Sequence, residues 1–221
     1  MVHQTATPRF ATMPVAAFLD QLASDAPTPG GGAAAALAGA MSAGLVSMVC
    51  NLTVGRPRYA EVETTLREVL ARSDAARERL VALADDDAAA YSIVAEAFRL
   101  PRSDEDARAR RAAAIQSALV QAAKPPLSVM KECRSLVPLC LEAAAHGNAA
   151  VVSDAGVAVE LAAAALRSSI INLRVNLSQI KDQAFVSASE GEIQTVEEGL
   201  QDEIDRTIGI VRAKIAPRSK P

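Results

Sequence analysis

Between residues 26 and 55 the chain carries no charged side chain, and after Pro27-Thr28-Pro29-Gly30-Gly31-Gly32 it is built almost wholly from Ala, Gly, Val, Leu, Met and Ser. Such a segment has to be covered by something apolar. It is long enough to cross a bilayer, but it is dominated by Ala and Gly, opens on two prolines and ends in Asn51 and Thr53. Spans are richer in Leu, Ile and Phe, so residues 33–53 are expected to form a core or subunit-interface helix. Gly39, Ala43 and Gly44 leave shallow grooves on it where a second helix can approach. Aromatic residues make up only 3% and Trp is absent, so the core must be made of small and branched aliphatic side chains. No period-2 run of β-branched or aromatic residues recurs between turn signals, and the expected class is all-α.

The rest of the chain reads as further helices. Val15, Phe18, Leu19 and Leu22 stand at helical spacing, and residues 25–32 break that first short helix. Pro57 interrupts the chain after the apolar helix, and residues 59–98 then carry Val62, Leu66, Val69, Leu70, Leu80 and Leu83 among Glu and Arg, a long helix with one wet face. Ser103, with Asp106 three residues on, is the expected N-cap of a helix that Pro125-Pro126 ends. A helix over residues 127–145 follows, with Gly147 as its C′ residue. Ser153 is the expected cap of a helix over residues 155–185. A last amphipathic helix over residues 190–215 carries Ile193, Val196, Leu200, Ile204, Ile208 and Val211. The expected architecture is a single-domain bundle of about seven helices over residues 13–217, preceded by a loosely attached arm, residues 1–12.

A net charge of -3 with mixed signs gives no attraction to a polyanion, so nucleic acid is not an expected partner. Cys50, Cys133 and Cys140 are widely spaced and odd in number, without the density of a disulfide framework, which suits a reducing compartment. The first residues show no apolar run behind a basic stretch, so neither a secretory signal nor a membrane anchor is expected, and the cytoplasm is the expected location.

Four features could carry chemistry. Gly30, Gly31 and Gly32 leave bare backbone at a helix start, which serves either as a plain tight turn or as a place where a ligand meets the first N–H groups. No strand precedes them, and neither a dinucleotide nor a Walker A spacing is present. Asp85, Asp86 and Asp87 interrupt an apolar-periodic stretch, with Tyr91 four residues after Asp87 on the same face. They suit a solvated face, or one of them points inward and acquires a pKa useful for proton transfer. Asn172 and Asn176 stand one turn apart among aliphatic residues and need partners if buried. Asn148 and Asp154 bracket the start of the same helix, where Asp154 also has an ordinary dipole role. His146 reads as a helix-end residue and the cysteines as core, and no metal-ligand spacing occurs.

Pro27-Thr28-Pro29-Gly30-Gly31-Gly32 with the later Val46-Ser47-Met48-Val49-Cys50-Asn51-Leu52-Thr53-Val54-Gly55 resembles the formiminotransferase-cyclodeaminase and methenyltetrahydrofolate cyclohydrolase family. Asp87 with Ala90-Tyr91, Ala114-Ile115-Gln116, Gly147-Asn148, Ser153-Asp154-Ala155-Gly156-Val157, and Asn172 with Val175-Asn176 continue the resemblance in order, over residues 18–182. It implies an all-helical, usually dimeric fold acting on one-carbon tetrahydrofolates, with the folate as substrate and no further cofactor. Hydrolysis of 5,10-methenyltetrahydrofolate to 10-formyltetrahydrofolate is the favoured chemistry, and ammonia release from 5-formiminotetrahydrofolate the alternative. A non-catalytic bundle that binds folate or a protein partner is the third reading. Under the resemblance Asp87 would transfer the proton with Tyr91 orienting it, and Asp154, Asn148, Asn172 and Asn176 would hold the pterin edge or the water. Thr28, Pro29 and the three glycines would admit the flat ring, with Asn51 in the same pocket wall. Arg56 and Arg58, standing where relatives often carry lysines, would meet the glutamate tail.

Overall fold

The structure, a computed structural model, describes residues 10–216, and among these every regular element is helical. In order they are α1 (Val15–Leu22), α2 (Gly31–Asn51), α3 (Glu63–Arg99), α4 (Glu105–Ala122), α5 (Lys124–His146), α6 (Val152–Leu177), α7 (Gln183–Glu197) and α8 (Leu200–Ile215). Three 3₁₀ turns, Phe10–Thr12, Pro57–Val62 and Ala149–Val151, stand before α1, α3 and α6.

The uncharged stretch is the central helix. One side of α2 lies along α3 and another along α6, and α5 packs against all three. Ala33, Ala36, Ala43, Val46, Val49 and Cys50 are fully buried there. Both α2 and the segment Ala149–Leu177 are long and apolar enough to cross a membrane by length and composition, and 61% of the α2 window is packed inside the molecule. Small residues set the approach distance. A side chain on Gly39 would begin 2.7 Å from the Cys133 Sγ of α5 and 3.3 Å from Leu80 of α3. Gly39→Val is therefore expected to cost about 1–3 kcal/mol by overpacking. Its melting temperature should fall, and Cys133→Ala in the same chain should recover part of the loss.

The helices α2 and α6 run antiparallel. Gly31 lies beside Asn172, the Ser42 hydroxyl donates to the Ala158 carbonyl at 2.7 Å, and the Asn148 N–H donates to Thr53 Oγ1 at 2.8 Å. The start of α2 and the end of α6 thus share one end of the bundle.

Several helix ends differ from the sequence expectation. The expected helix over residues 190–215 is two helices, because Gly199 takes a left-handed conformation, φ 65°, with Glu198 extended before it. The helix before it stops at Leu177 rather than residue 185, and Asp182 caps α7 by accepting from the Ala184 and Phe185 N–H groups. The cap of α4 is Asp104, which accepts from Ala107 N–H at 2.7 Å, while Ser103 only donates to Asp104. The break before Pro125 and Pro126 comes at Ala123, two residues earlier than expected. They open α5, whose first turn needs no donor from them.

Ser153 lies inside α6, because Asn148 caps the 3₁₀ turn ahead of it by accepting from Ala150 N–H. Gly147 is extended rather than left-handed, and its bare α-carbon makes room for Val49 and the Ala143 carbonyl. Of the expected N-terminal arm, residues 1–9 lie outside the described residues. Phe10 is buried edge-on against Phe18, its N–H donating to Asp85 at 2.7 Å.

Candidate active site

At the α2–α6 end shared by Gly31 and Asn172, a cavity of about 350 Å³ opens to solvent. That is at the small end of the range for ligand sites. Three walls meet there. The first is the turn Pro27, Thr28, Gly30, Gly31 and Gly32; the second is the α3 stripe Asp87, Tyr91, Val94 and Phe98; the third is the α6 stripe Asn172, Val175, Asn176 with Gln179 beyond it, and Leu119 and Ala122 of α4 form the floor.

Asp87 reaches across from α3 to the N-terminus of α2. Its carboxylate accepts from the Ala33 N–H and occupies the space where a side chain on Gly32 would begin. Gly32 is bare to admit an acid rather than a ligand ring, and Gly31 is bare beside the Asn172 amide, 3.3 Å from where a Cβ would stand. Gly30 alone has open space before it. The Thr28–Pro29 peptide is cis, and the Gln21 amide holds the turn by donating to the Thr28 carbonyl at 2.9 Å. Burial pushes the Asp87 carboxyl above the usual carboxylate range, opposed by the Ala33 N–H.

The three aspartates have separate roles. Asp85 ties down Phe10, Asp86 is exposed, and Asp87 faces the cavity. Tyr91, 47% exposed, forms wall rather than support: among the described residues no hydrogen bond joins it to Asp87, whose orientation comes from Ala33.

Both asparagines are fixed through one N–H. Asn172 donates to the Ser168 carbonyl at 2.9 Å and Asn176 to the Ala122 carbonyl at 3.0 Å. Each keeps its carbonyl oxygen and one further N–H for another partner. The lip beyond α6 is fastened by Gln116 of α4, which donates to the Gln179 carbonyl and accepts from the Lys181 N–H.

Five sequence candidates lie elsewhere in the chain. Asp154 and Asn172 stand eighteen positions apart along α6, about 27 Å at 1.5 Å per residue. Asn51 is exposed at the far end of α2. Buried Asn148 staples that end, its amide donating to the Leu52 carbonyl at 3.2 Å and its carbonyl accepting from the Tyr59 hydroxyl at 3.3 Å. Arg58 stacks on Tyr59, 5.6 Å from the ring centroid. The same far end carries Arg56, before the turn Pro57–Val62. The sequence reading missed Val94, Phe98, Leu119, Ala122, Val175 and Gln179. The signal was present in part, since Asp87, Tyr91, Val94 and Phe98 fall at i, i+4, i+7 and i+11, one helical face.

The chain is similar to several proteins of known activity. A methenyltetrahydrofolate cyclohydrolase of Methylorubrum extorquens is 48% identical over 177 residues, covering 80% of this chain and 85% of that protein. The pig formimidoyltransferase-cyclodeaminase is 35% identical over 172 residues, and there the match covers only 32% of the longer relative. A formiminotetrahydrofolate cyclodeaminase of Thermotoga maritima has the same fold, with a TM-score of 0.83 and 28% identity over 92% of this chain and 98% of that one. The model of the formiminotransferase-cyclodeaminase family matches residues 14–195, and the chain belongs to that family.

Proposed function

We propose that the chain hydrolyses 5,10-methenyltetrahydrofolate to 10-formyltetrahydrofolate. The observation that carries the reading is the half-buried Asp87, its carboxyl raised by burial, set against a helix N-terminus and faced by two amides with spare donors and acceptors. It is joined to near full-length similarity to a protein named for that reaction.

The methenyl bridge is a delocalised amidinium cation and is already electrophilic. Water adds to the bridge carbon as Asp87 accepts one of its protons. The C–N5 bond then breaks, its electron pair and the proton held by Asp87 go to N5, and the remaining hydroxyl proton leaves to solvent as the formyl carbonyl forms. One water is consumed and one proton released. Asn172 and Asn176 hold the water or the pterin edge, and the start of α2 orients Asp87 through the Ala33 N–H. Phe98, Tyr91 and Val175 give the flat ring apolar faces. This chemistry calls for no cofactor beyond the folate.

A cytoplasmic setting with no nucleic-acid or membrane partner suits the mixed surface charge and the packing of both long apolar helices into the core. The exposed apolar residues of α2 and α6 support a homodimer.

Ammonia release from 5-formiminotetrahydrofolate is the second reading, supported by the likeness in fold to the cyclodeaminase of Thermotoga maritima. Assayed side by side, loss of methenyl absorbance should outpace ammonia release by a wide margin, and the reverse ratio would assign the deaminase. As a base, Asp87 works only when ionised, so kcat should fall as pH drops through its raised pKa, at a pH above that of an ordinary aspartate. A rate unchanged down to the ordinary aspartate range would remove it from that role.

A further inference from the structure

The helices α2 and α3 also run antiparallel, since the Ser47 and Ser73 hydroxyls meet at 2.9 Å and Gly32 lies against Asp87. Both α3 and α6 therefore run in the same direction, and both continue past the start of α2. Beyond Asp87, α3 goes on for twelve residues to Arg99, about 18 Å. Beyond Asn172, α6 goes on for five residues to Leu177, about 7.5 Å, and the chain continues through Gln179. Phe98 and Gln179 line the outer part of the cavity on these two overhangs, where α2 no longer stands between the walls.

The overhangs are joined by α4. Its Arg111 donates to the Phe98 carbonyl through Nε at 3.4 Å and Nη2 at 3.1 Å. The same guanidinium lies over the Phe98 ring, 5.6 Å from the centroid, and among the described residues it pairs with no carboxylate. Gln116, five residues on, donates to the Gln179 carbonyl at 3.0 Å and accepts from the Lys181 N–H at 2.8 Å, a grip on either side of buried Ile180. At the end of α4 the Ala122 carbonyl accepts from Asn176 at 3.0 Å. Neither Arg111 nor Gln116 lines the cavity. Apolar packing gives this stretch little anchorage, because residues 108–117 contain no buried side chain, and the buried residues of α4 are Ala107 near its start and Ala118, Leu119 and Ala122 near its end.

We propose that Arg111 and Gln116 are positioning residues for the substrate: across α4 they hold Phe98 and the Gln179 rim at a fixed separation, so that the flat ring system enters a slot already formed. The inference rests on the folate reading above. Phe98 stands eleven residues from Asp87, about 16 Å along α3, so it meets the substrate away from the bridge carbon and equally before and during attack by water. Interactions of that kind set KM and leave kcat alone. Without the two ties the slot is formed only part of the time, and apparent affinity falls by that fraction.

Steady-state kinetics on methenyltetrahydrofolate with the full chain tests it. Gln116→Ala and Arg111→Ala should each raise KM roughly 5–30-fold, with kcat within about twofold of wild type. Gln116→Glu still accepts from the Lys181 N–H but, ionised, cannot donate to the Gln179 carbonyl, so its KM should fall between wild type and Gln116→Ala. Should Gln116→Ala melt below the assay temperature, that milder variant carries the comparison. Arg110→Ala, which removes the same charge from an exposed position of α4, should change neither constant. In a Phe98→Ala background Arg111→Ala should raise KM much less than it does alone, because the ring it holds is gone. A wild-type KM in folded Gln116→Ala or Gln116→Glu and in Arg111→Ala, or a lower kcat with KM kept, would overturn the inference while the folate reading stands. A wild-type chain inactive on both folates would overturn that reading and the inference with it.

Discussion

Asp87→Asn should lower kcat by roughly 10²–10⁴ while the protein folds as before. The amide keeps an oxygen that can accept from the Ala33 N–H, and it matches the carboxyl in shape, so binding of the pterin should change little. The stability effect has a definite sign. Because burial raises the Asp87 pKa in the folded chain, its contribution is most favourable at acid pH, below the unfolded value, and is lost as pH rises through the folded value. The asparagine variant should therefore be at least as stable as wild type at neutral pH, with the advantage shrinking as the pH is lowered. Calorimetry at two pH values, beside the turnover assay, separates a catalytic loss from a folding loss. A variant that turned over normally would remove Asp87 from the mechanism.

Gly32→Ala is the second large effect. The added methyl would start inside the space held by the Asp87 carboxyl. Neither the helix start nor the interior of α3 can yield easily, so a cost of about 1–3 kcal/mol is expected, against a helix-propensity gain of at most about 1 kcal/mol. Turnover should fall with it, since the acid is driven from its hydrogen bond to Ala33. The clash is specific to one pair. In an Asp87→Ala background the same substitution should cost much less in melting temperature, although activity stays absent, and that non-additivity is the signature of direct contact. Equal costs in both backgrounds would show that the glycine serves the turn and not the carboxyl. Gly30, with open space before it, should accept Ala with little loss of stability.

Much of this was legible in the chain itself. An uncharged Ala and Gly run flanked by charged amphipathic stretches leaves little choice but a buried helix, and α2 spans Gly31–Asn51 against an expectation of residues 33–53. The break at Gly199 was not legible. Ile193, Val196, Leu200 and Ile204 remain in phase across it, all four buried, and a glycine within a helical pattern does not announce a positive φ. The caps at Asp104 and Asn148 were missed because a neighbouring Ser or Asp fits the same pattern.

Within the site, the cavity-facing half followed from periodicity and resemblance together: Asp87, Tyr91, Asn172 and Asn176 all line it. The other half was assigned to the same pocket although helix rise alone sets Asp154 far from Asn172. Motif order along a chain carries no information about which end of an antiparallel helix pair each motif occupies. The reason for Gly32 was equally hidden, because the group it makes room for is distant in sequence and on another helix.

The most direct measurement is the decay of methenyltetrahydrofolate absorbance after adding purified chain, followed beside Asp87→Asn and a buffer blank. The wild-type protein should accelerate the loss in proportion to its concentration, saturate with substrate and yield 10-formyltetrahydrofolate, with the variant close to the blank. Wild-type decay indistinguishable from buffer would contradict the proposed function outright.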